Sequence, residues 1–227
     1  MPLPLVLLPG TLCDARQWRP AADILTPRQI QFGDLTLDDS IAAMARRVLT
    51  VAPDRFALAG FSMGGIVALE IERQAPERVA ALGLVCATAR PDGQADRAAL
   101  VAEARRGGLR EVMARLAQTY FEDSPPPDLA ALVEAMAMDL GPEVFARQSA
   151  ALAARPDSRP LLAAVRAPTV VICAQADRVV PDDRAQELAT GVRGARLVRL
   201  PACGHMLPFE QPHALAAAIE TWVTPLR

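Results

Sequence analysis

The stretch "RFALAGFSMGGIVALEIERQ", residues 55–74, joins an apolar run to a helical pattern through one serine. Its first part has the continuous apolar composition of a buried strand, and its second part repeats apolar residues at helical spacing. Ser62 lies between the two parts, with Gly60 and Gly64 two positions to either side. A Gly-x-Ser-x-Gly pattern is weak evidence alone, but the strand-to-helix setting is what a nucleophile on a sharp turn requires.

Two interpretations of Ser62 are open at this point. In the first, a strained backbone lifts the hydroxyl above the carboxyl edge of a sheet, where the Met63 N–H and the helix N-terminus face a developing negative oxygen. In the second, Ser62 is an ordinary helix N-cap and the glycines serve packing. A serine hydroxyl is unreactive until a base accepts its proton, so the rest of the chain decides between them.

Short apolar runs alternate with helical patterns on both sides of this stretch. We expect further strands at residues 3–9, 29–35, 78–87, 168–174 and 195–201, and helices at residues 39–49, 182–190 and 213–223. Alternating strands and helices with continuously apolar strands predict a mostly parallel sheet of about six strands, flanked by helices on both faces. The predicted fold class is therefore α/β.

Residues 89–160 interrupt this alternation because they contain no strand pattern. Ala-rich helical patterns cover residues 96–106, 109–121, 128–140 and 142–153. We expect an all-helical cap, or lid, at residues 89–160, inserted after the fourth strand. The remaining residues, 1–88 and 161–227, then form the α/β core.

The chain has two histidines that could serve as the base for Ser62. His205 lies in a loop, "PACGHMLPFEQP", just after the last predicted strand, whereas His213 opens the last predicted helix. Loops that follow parallel strands share the carboxyl edge of the sheet with Ser62. This placement favours His205.

A histidine base needs a carboxylate that fixes its tautomer and stabilises its charged form. Asp177 directly follows the strand at residues 168–174, whereas Asp182 and Asp183 open the next helix, where acidic residues are expected as N-caps. Asp177 is therefore the preferred candidate. The resulting chain order is serine, aspartate, histidine.

The loop after the first strand, "LPGTLCDARQW", is expected to supply a second donor to the oxyanion, beside the Met63 N–H. Gly10 lets the backbone pass close to a substrate. The N–H of Thr11 or of Leu12 is the candidate donor, and Thr11 is favoured. Cys13 follows in the same loop, where nothing in the sequence makes it a competing nucleophile.

Four segments, in their order along the chain, resemble the α/β-hydrolase superfamily: "LLPGTLCDARQW", "FALAGFSMGGIVALE", "AQADRVVP" and "CGHMLPFEQP". The resemblance covers nearly the whole chain and implies the α/β-hydrolase fold. Within the superfamily, the chain is similar to small carboxylesterases of the group that includes pimeloyl-carrier-protein methyl esterase and 3-oxoadipate enol-lactonase. Many members begin with two further strands, so we expect this sheet to be shorter by about two, and Pro9-Gly10 stands where many members have His-Gly.

The resemblance implies a serine hydrolase that cleaves an ester, thioester or lactone of a small, largely apolar acyl substrate through an acyl-enzyme on Ser62. It implies no cofactor and no metal. Carbon–carbon bond hydrolases and perhydrolases share the serine triad and stay open as alternatives. A non-catalytic ligand-binding protein on the same fold is the alternative from another class.

Composition sets the expectations about partners. A formal charge of -2 provides no basic field for nucleic acid, so we expect a small-molecule substrate, free or linked to a carrier protein. All 24 basic residues are arginine, which excludes a lysine Schiff base. Four arginines of the predicted cap could receive a carboxylate or an acidic carrier protein, although such a run is more often a solvated face: Arg105, Arg106, Arg110 and Arg115.

Location and assembly follow from the same survey. No segment reaches the roughly 20 apolar residues of a membrane span, and the apolar start lacks the basic residues of a signal peptide. We therefore expect a cytoplasmic protein that is a monomer or a homodimer and makes no membrane contact. The four scattered cysteines, Cys13, Cys86, Cys173 and Cys203, are expected to be free thiols.

Overall fold

The framework of the protein is one sheet of six parallel strands, seen in a computed structural model that describes residues 2–91 and 97–223. The strands are β1 (Leu5–Leu8), β2 (Ile30–Phe32), β3 (Phe56–Phe61), β4 (Val79–Val85), β5 (Thr169–Ala174) and β6 (Arg196–Leu200). Their order across the sheet is β2-β1-β3-β4-β5-β6, and every neighbouring pair is parallel. The predicted α/β fold with six parallel strands is confirmed.

Helices connect the strands and cover the sheet. They are α1 (Ala15–Ala22), α2 (Ile41–Val51), α3 (Met63–Gln74), α4 (Arg97–Glu103), α5 (Leu109–Ala117), α6 (Pro127–Ala154), α7 (Asp182–Gly191), α8 (Leu207–Glu210) and α9 (Pro212–Val223). A π-helical turn (Ala104–Gly108) joins α4 to α5, and a 3-10 helix (Arg159–Ala164) precedes β5. Among the helices of the described residues, none has the length and hydropathy of a membrane span.

Both faces of the sheet are buried because the strands are apolar on both sides. Successive residues of β1 point to opposite faces. Val6 and Leu8 belong to an apolar cluster that also contains residues of α2, α3 and α7, whereas Leu5 and Leu7 belong to a second cluster that contains residues of α1 and α9. Trp18 of α1 is fully buried, and its indole N–H donates to the Leu8 carbonyl oxygen at 3.0 Å. The end of β1 is thus held by α1.

Between β4 and β5 the chain forms α4, α5 and α6, and its described residues, 86–91 and 97–168, contain no strand. We call residues 97–155 the helical insertion. Two glycines with positive φ bend it, Gly107 at 98° and Gly141 at 79°, and glycine adopts that region at little cost. Gly141 breaks α6 where the sequence predicts a boundary between two helices. The predicted helix at 96–106 starts at a residue outside the described ones, and α4 begins at Arg97.

Candidate active site

Ser62 connects β3 to α3 in a backbone conformation that residues with a Cβ seldom adopt. Its φ is 52° and its ψ is -116°. Its N–H donates to the Val85 carbonyl oxygen at 2.8 Å, which ties the turn to β4. The side chain makes no N-cap hydrogen bond to α3, so it does not act as the ordinary cap that the second interpretation requires. As the first residue of α3, Met63 has no intrahelical acceptor for its N–H.

Three side chains from separate loops meet at the carboxyl edge of the sheet. His205 Nε2 lies 3.1 Å from Ser62 Oγ, and His205 Nδ1 lies 2.7 Å from Asp177 Oδ2. The other Asp177 oxygen accepts hydrogen bonds from the N–H groups of Val179 and Val180, both at 2.8 Å. Both oxygens of the buried carboxylate therefore have partners, and the carboxylate orientation is fixed. The structure brings together the three residues that the sequence singled out.

The imidazole of His205 is buried between aromatic rings. The Phe61 ring centroid lies 5.0 Å from the imidazole centroid, and the Tyr120 centroid lies 6.1 Å away. Tyr120 also accepts, through its carbonyl oxygen, a hydrogen bond from the Met206 N–H at 2.8 Å. Tyr120 lies between α5 and α6, so the helical insertion holds the histidine loop in place.

The other candidates for base and acid lie elsewhere. His213 is exposed in the first turn of α9 and does not line the cavity described below. Asp182 pairs with Arg199 at 2.7 Å, and Asp183 Oδ2 lies 3.2 Å from Arg184 Nη1. Both aspartates are in the first turn of α7, as expected for acidic residues at a helix N-terminus.

The N–H groups of the loop after β1 have different partners. The Gly10 N–H donates to Gln17 Oε1 and the Leu12 N–H donates to Gln148 Oε1, both at 2.9 Å. The Thr11 N–H lies between them and has no acceptor among residues 2–91 and 97–223. Of the two candidate donors, the Leu12 N–H therefore already has an acceptor, whereas the Thr11 N–H is free to donate to a substrate oxygen at Ser62.

Two glutamines that were not predicted from the sequence, Gln17 and Gln148, hold this loop. Gln17 and Gln148 are both nearly inaccessible to solvent, with exposures of 0% and 1%. Gln148 lies on the apolar face of α6, three residues after Phe145 and four before Leu152, which are both buried. A glutamine in a buried helical stripe is unusual, so this signal was present in the sequence.

A cavity of about 600 Å³ opens above Ser62, between the carboxyl edge of the sheet and the helical insertion. Much of its wall is apolar and includes Ile66, Leu100, Met113, Leu116, Phe145 and Leu152. Its charged lining residues are five arginines, Arg90, Arg97, Arg155, Arg178 and Arg184. Among the lining residues that the structure describes, none is Asp or Glu.

The arginines that the sequence analysis considered for anion binding are not in this cavity. Arg105, Arg106, Arg110 and Arg115 are exposed on the helical insertion. Three of them pair with carboxylates of the same segment, in the pairs Arg105–Glu143, Arg110–Glu134 and Arg115–Glu103. These four arginines therefore form a solvated face, which is the second of the two roles considered for them in the sequence.

The cysteines are free, as expected, and all four are buried. Burial, reinforced by the neighbouring Asp14 carboxylate, raises the pKa of Cys13 to about 12, so this thiol of the cavity wall is a poor nucleophile. Burial also raises the pKa of Cys86 well above its ordinary value, with Asp177 adding to the effect.

Donor atoms of Cys86, Asp177 and His205 lie within 4.8 Å of one another, close enough to hold a metal ion. The hydrogen bond between Asp177 and His205 already uses one oxygen and one nitrogen of this group. The third member is a buried thiol whose raised pKa keeps it protonated. This donor set fits an imidazole held by a carboxylate better than it fits a metal ion.

Comparisons with known proteins agree with this architecture. A pimeloyl-[acyl-carrier protein] methyl ester esterase of Aromatoleum aromaticum is 28% identical over 206 residues, which cover 80% of this chain and 79% of that protein. A candidate carbamate hydrolase, RutD, of Azorhizobium caulinodans is 28% identical over 236 residues, which cover 92% and 86%. The structure of a thermophilic esterase from Thermogutta terrifontis, solved with malate bound, has a TM-score of 0.87 at 26% identity and covers 99% of this chain and 90% of that one.

The profile of the alpha/beta hydrolase family matches residues 5–218, which span all six strands of the sheet. The resemblance stated from the sequence motifs is confirmed, and the chain belongs to the alpha/beta hydrolase family.

Proposed function

We propose that the protein is a serine hydrolase that cleaves carboxylic esters, thioesters or lactones through an acyl-enzyme on Ser62. The observation that carries the proposal is the connected series Asp177, His205 and Ser62, with hydrogen-bond distances of 2.7 and 3.1 Å, facing a cavity of about 600 Å³. The esterases among its relatives and structural neighbours support ester hydrolysis as the reaction.

The first half of the reaction forms the acyl-enzyme. His205 donates from Nδ1 to Asp177 and accepts the Ser62 proton at Nε2 while Oγ attacks the substrate carbonyl carbon. The carbonyl oxygen becomes an oxyanion, which the N–H groups of Met63 and Thr11 stabilise. When the tetrahedral intermediate collapses, the bond to the leaving oxygen or sulfur breaks, and His205 gives its proton to the leaving group.

The second half releases the acid. His205 accepts a proton from a water molecule, whose oxygen attacks the acyl carbon and forms a second tetrahedral oxyanion in the same pair of N–H groups. Collapse breaks the bond to Ser62 Oγ, which recovers its proton from His205. The enzyme returns to its initial state, and the products are a carboxylic acid and an alcohol or thiol.

The chain divides functionally into a core and a cap in this proposal. Residues 1–88 and 161–227 form the hydrolase core, and residues 89–160 form the cap over the active site. Two observations support this division. Met113 and Phe145 of the helical insertion line the cavity. Arg178, which follows Asp177, donates hydrogen bonds to the carbonyl oxygens of Gln118 and Phe121 in the helical insertion.

The cavity wall favours a substrate that combines an apolar acyl chain with a negatively charged group. The apolar part of the wall accommodates the chain. The lining arginines attract the charge, although Arg90 also pairs with Glu187 and Arg184 lies 3.2 Å from Asp183. Arg178 illustrates this, because its guanidinium donates to two backbone carbonyl oxygens, which leave its charge unneutralised. A free carboxylate or the phosphate of a carrier-protein arm would supply the negative charge.

The proposal is tested by the hydrolysis of p-nitrophenyl acetate with wild type, Ser62→Ala and Cys13→Ala. We expect Ser62→Ala to lose turnover and Cys13→Ala to keep it, because the Cys13 thiol is buried and protonated. Of the two histidines, only His205→Ala should abolish turnover, with His213→Ala as its exposed control. Equal rates for wild type and Ser62→Ala would reject the triad and favour a non-catalytic binding protein.

A further inference from the structure

The loop after β1 contains a second residue with a strained backbone. Leu12 has a φ of 51° and is only 2% exposed. A leucine in this left-handed region persists only where surrounding contacts hold it there. The contacts of Leu12 therefore decide the path of the loop, including the direction of the Thr11 N–H that precedes it.

Gln148 makes the backbone contact. Its Oε1 accepts from the Leu12 N–H at 2.9 Å, and its Nε2 donates to the Leu35 carbonyl oxygen at 3.1 Å. An N–H can only donate and a carbonyl can only accept, so these two partners fix the orientation of the amide. Gln148 belongs to α6, whereas its partners belong to loops after β1 and β2 of the core. One side chain of the helical insertion thus bridges two loops of the core.

The side chain of Leu12 makes a second contact with the same segment. It packs into the apolar cluster of the helical insertion, together with Ala104, Leu109, Val112, Met113, Ala137, Val144 and Phe145. The insertion therefore holds Leu12 by both backbone and side chain. On the core side, Gln17 of α1 holds the Gly10 N–H. Thr11 lies between a residue fixed by the core and a residue fixed by the insertion.

We propose that Gln148 is a positioning residue for the oxyanion site: by holding the Leu12 N–H, it directs the Thr11 N–H toward the oxyanion formed on Ser62. This inference rests on the proposed function. It makes the oxyanion site dependent on the docking of the helical insertion, because α6 carries the residue that shapes it. The insertion then completes the catalytic site as well as covering it.

A positioning role and a merely structural role predict different kinetics. Loss of a structural contact lowers the amount or stability of folded enzyme but leaves kcat per active site unchanged. Loss of a positioning contact lowers kcat per site, since the oxyanion donor is used in the transition state more than in substrate binding. The number of active sites must therefore be measured separately from the rate.

The test compares full-length wild type with Gln148→Met, which has similar length but no amide. Ser149→Ala is the matched control, because Ser149 is the next residue of α6, is buried, and has a hydroxyl without a hydrogen-bond partner among the described residues. Gln148→Glu keeps an oxygen for the Leu12 N–H and serves as the conservative variant. Active sites are counted by complete reaction with a fluorophosphonate, and kcat and KM are measured with p-nitrophenyl acetate.

For Gln148→Met we expect kcat per titrated site to fall by about 10- to 100-fold, with KM changed by no more than about twofold. The inhibition constant of a trifluoromethyl ketone, whose adduct on Ser62 carries the same oxyanion, should rise by a similar factor. Gln148→Glu should lose less kcat than Gln148→Met, and Ser149→Ala should match wild type.

An unchanged kcat per titrated site in Gln148→Met would overturn the inference, whatever its folded yield, and so would a change confined to KM. If wild type neither reacts with the fluorophosphonate nor hydrolyses the ester, the proposed function itself fails. The two failures are thereby distinguishable.

Discussion

Gly64 approaches the end of β1 so closely that a Cβ at this position would lie 2.3 Å from the Leu8 carbonyl oxygen and 2.6 Å from that of Pro9. Both neighbours are backbone atoms, which no rotamer change can move away. The helix that follows Ser62 and the loop that follows β1 therefore touch through backbone. This contact holds the first turn of α3 against the loop that contains Thr11.

Gly64→Ala should therefore damage both stability and catalysis. The added methyl group must push the loop after β1 away from α3, and we expect a loss of about 1–3 kcal/mol in the free energy of unfolding together with a lower kcat. Urea denaturation and ester hydrolysis measure the two effects. Gly108→Ala is the control, because the nearest atom there is the flexible Glu103 Cγ at 3.0 Å. Equal stability and kcat for Gly64→Ala and wild type would contradict the close contact.

Asp177→Asn should leave the fold intact and remove most activity. The amide oxygen still accepts from the N–H groups of Val179 and Val180, but the amide no longer stabilises a charged His205. We expect kcat to fall by about 10⁴-fold while circular dichroism stays unchanged. Asp182→Asn tests the neighbouring acid, which pairs with Arg199, and should keep near wild-type kcat. The reverse result would assign the acid to Asp182.

The arginine lining predicts a preference for negatively charged esters. p-Nitrophenyl hemisuccinate and p-nitrophenyl butyrate have chains of equal length, and the first ends in a carboxylate. We expect a higher kcat/KM for the hemisuccinate, with an advantage that shrinks as salt screens the charges.

We expect Arg184→Met to lower the ratio of the two kcat/KM values by about fivefold, which corresponds to on the order of 1 kcal/mol. Arg184 lines the cavity, and its Nη1 lies 3.2 Å from Asp183 Oδ2 without the geometry of a hydrogen bond, so it has donor capacity left for a substrate anion. Arg105→Met, on the exposed surface of the insertion, should leave the ratio unchanged. A preference for the butyrate in wild type would argue against an anionic substrate.

Glu72 predicts a pH dependence of stability away from the active site. This buried side chain accepts from the N–H groups of Arg166 and Ala167 through Oε1, whereas Oε2 has no partner among the described residues. Burial raises its pKa above the ordinary value of 4.5. The folded state thus holds the proton more tightly than the unfolded state. The stabilisation is fully present below the unfolded pKa and is lost as pH rises through the folded pKa.

Glu72→Gln keeps the Oε1 acceptor and cannot ionise. Its free energy of unfolding, relative to wild type, should therefore increase as pH rises from below 4.5 through the raised pKa of Glu72. Thermal denaturation at several pH values measures the difference. A difference that stays constant or decreases with pH would show that the Glu72 carboxyl ionises as readily in the folded state as in the unfolded one.

The sequence was most informative where a residue's role depends on its place at the end of a strand. Ser62, Asp177 and His205 each follow a predicted strand, and parallel strands bring their carboxyl ends to one edge, so their meeting could be predicted without the structure. The loop with Thr11 and Leu12 was predicted to reach this edge for the same reason, and both residues line the cavity with Ser62. The choice between them needed the hydrogen bond from Leu12 to a residue 136 positions away.

Features that depend on packing between distant segments could not be predicted from the sequence. The cavity arginines come from the loop after β4, the two ends of the helical insertion, the Asp177 loop and α7, and no local pattern groups them. The adjacent Arg105 and Arg106 were instead among the candidates for anion binding, although they lie on an exposed surface. The helix α8 and the 3-10 helix before β5 are four and six residues long, which is too short to produce a periodic pattern.

The intact mass of the protein after exposure to a fluorophosphonate shows whether Ser62 is an activated nucleophile. We predict one covalent adduct on wild type, none on Ser62→Ala, and slow or absent labelling of His205→Ala, because the serine hydroxyl needs the imidazole to accept its proton. An unlabelled wild type, or a Ser62→Ala variant labelled as fast as wild type, would contradict the account.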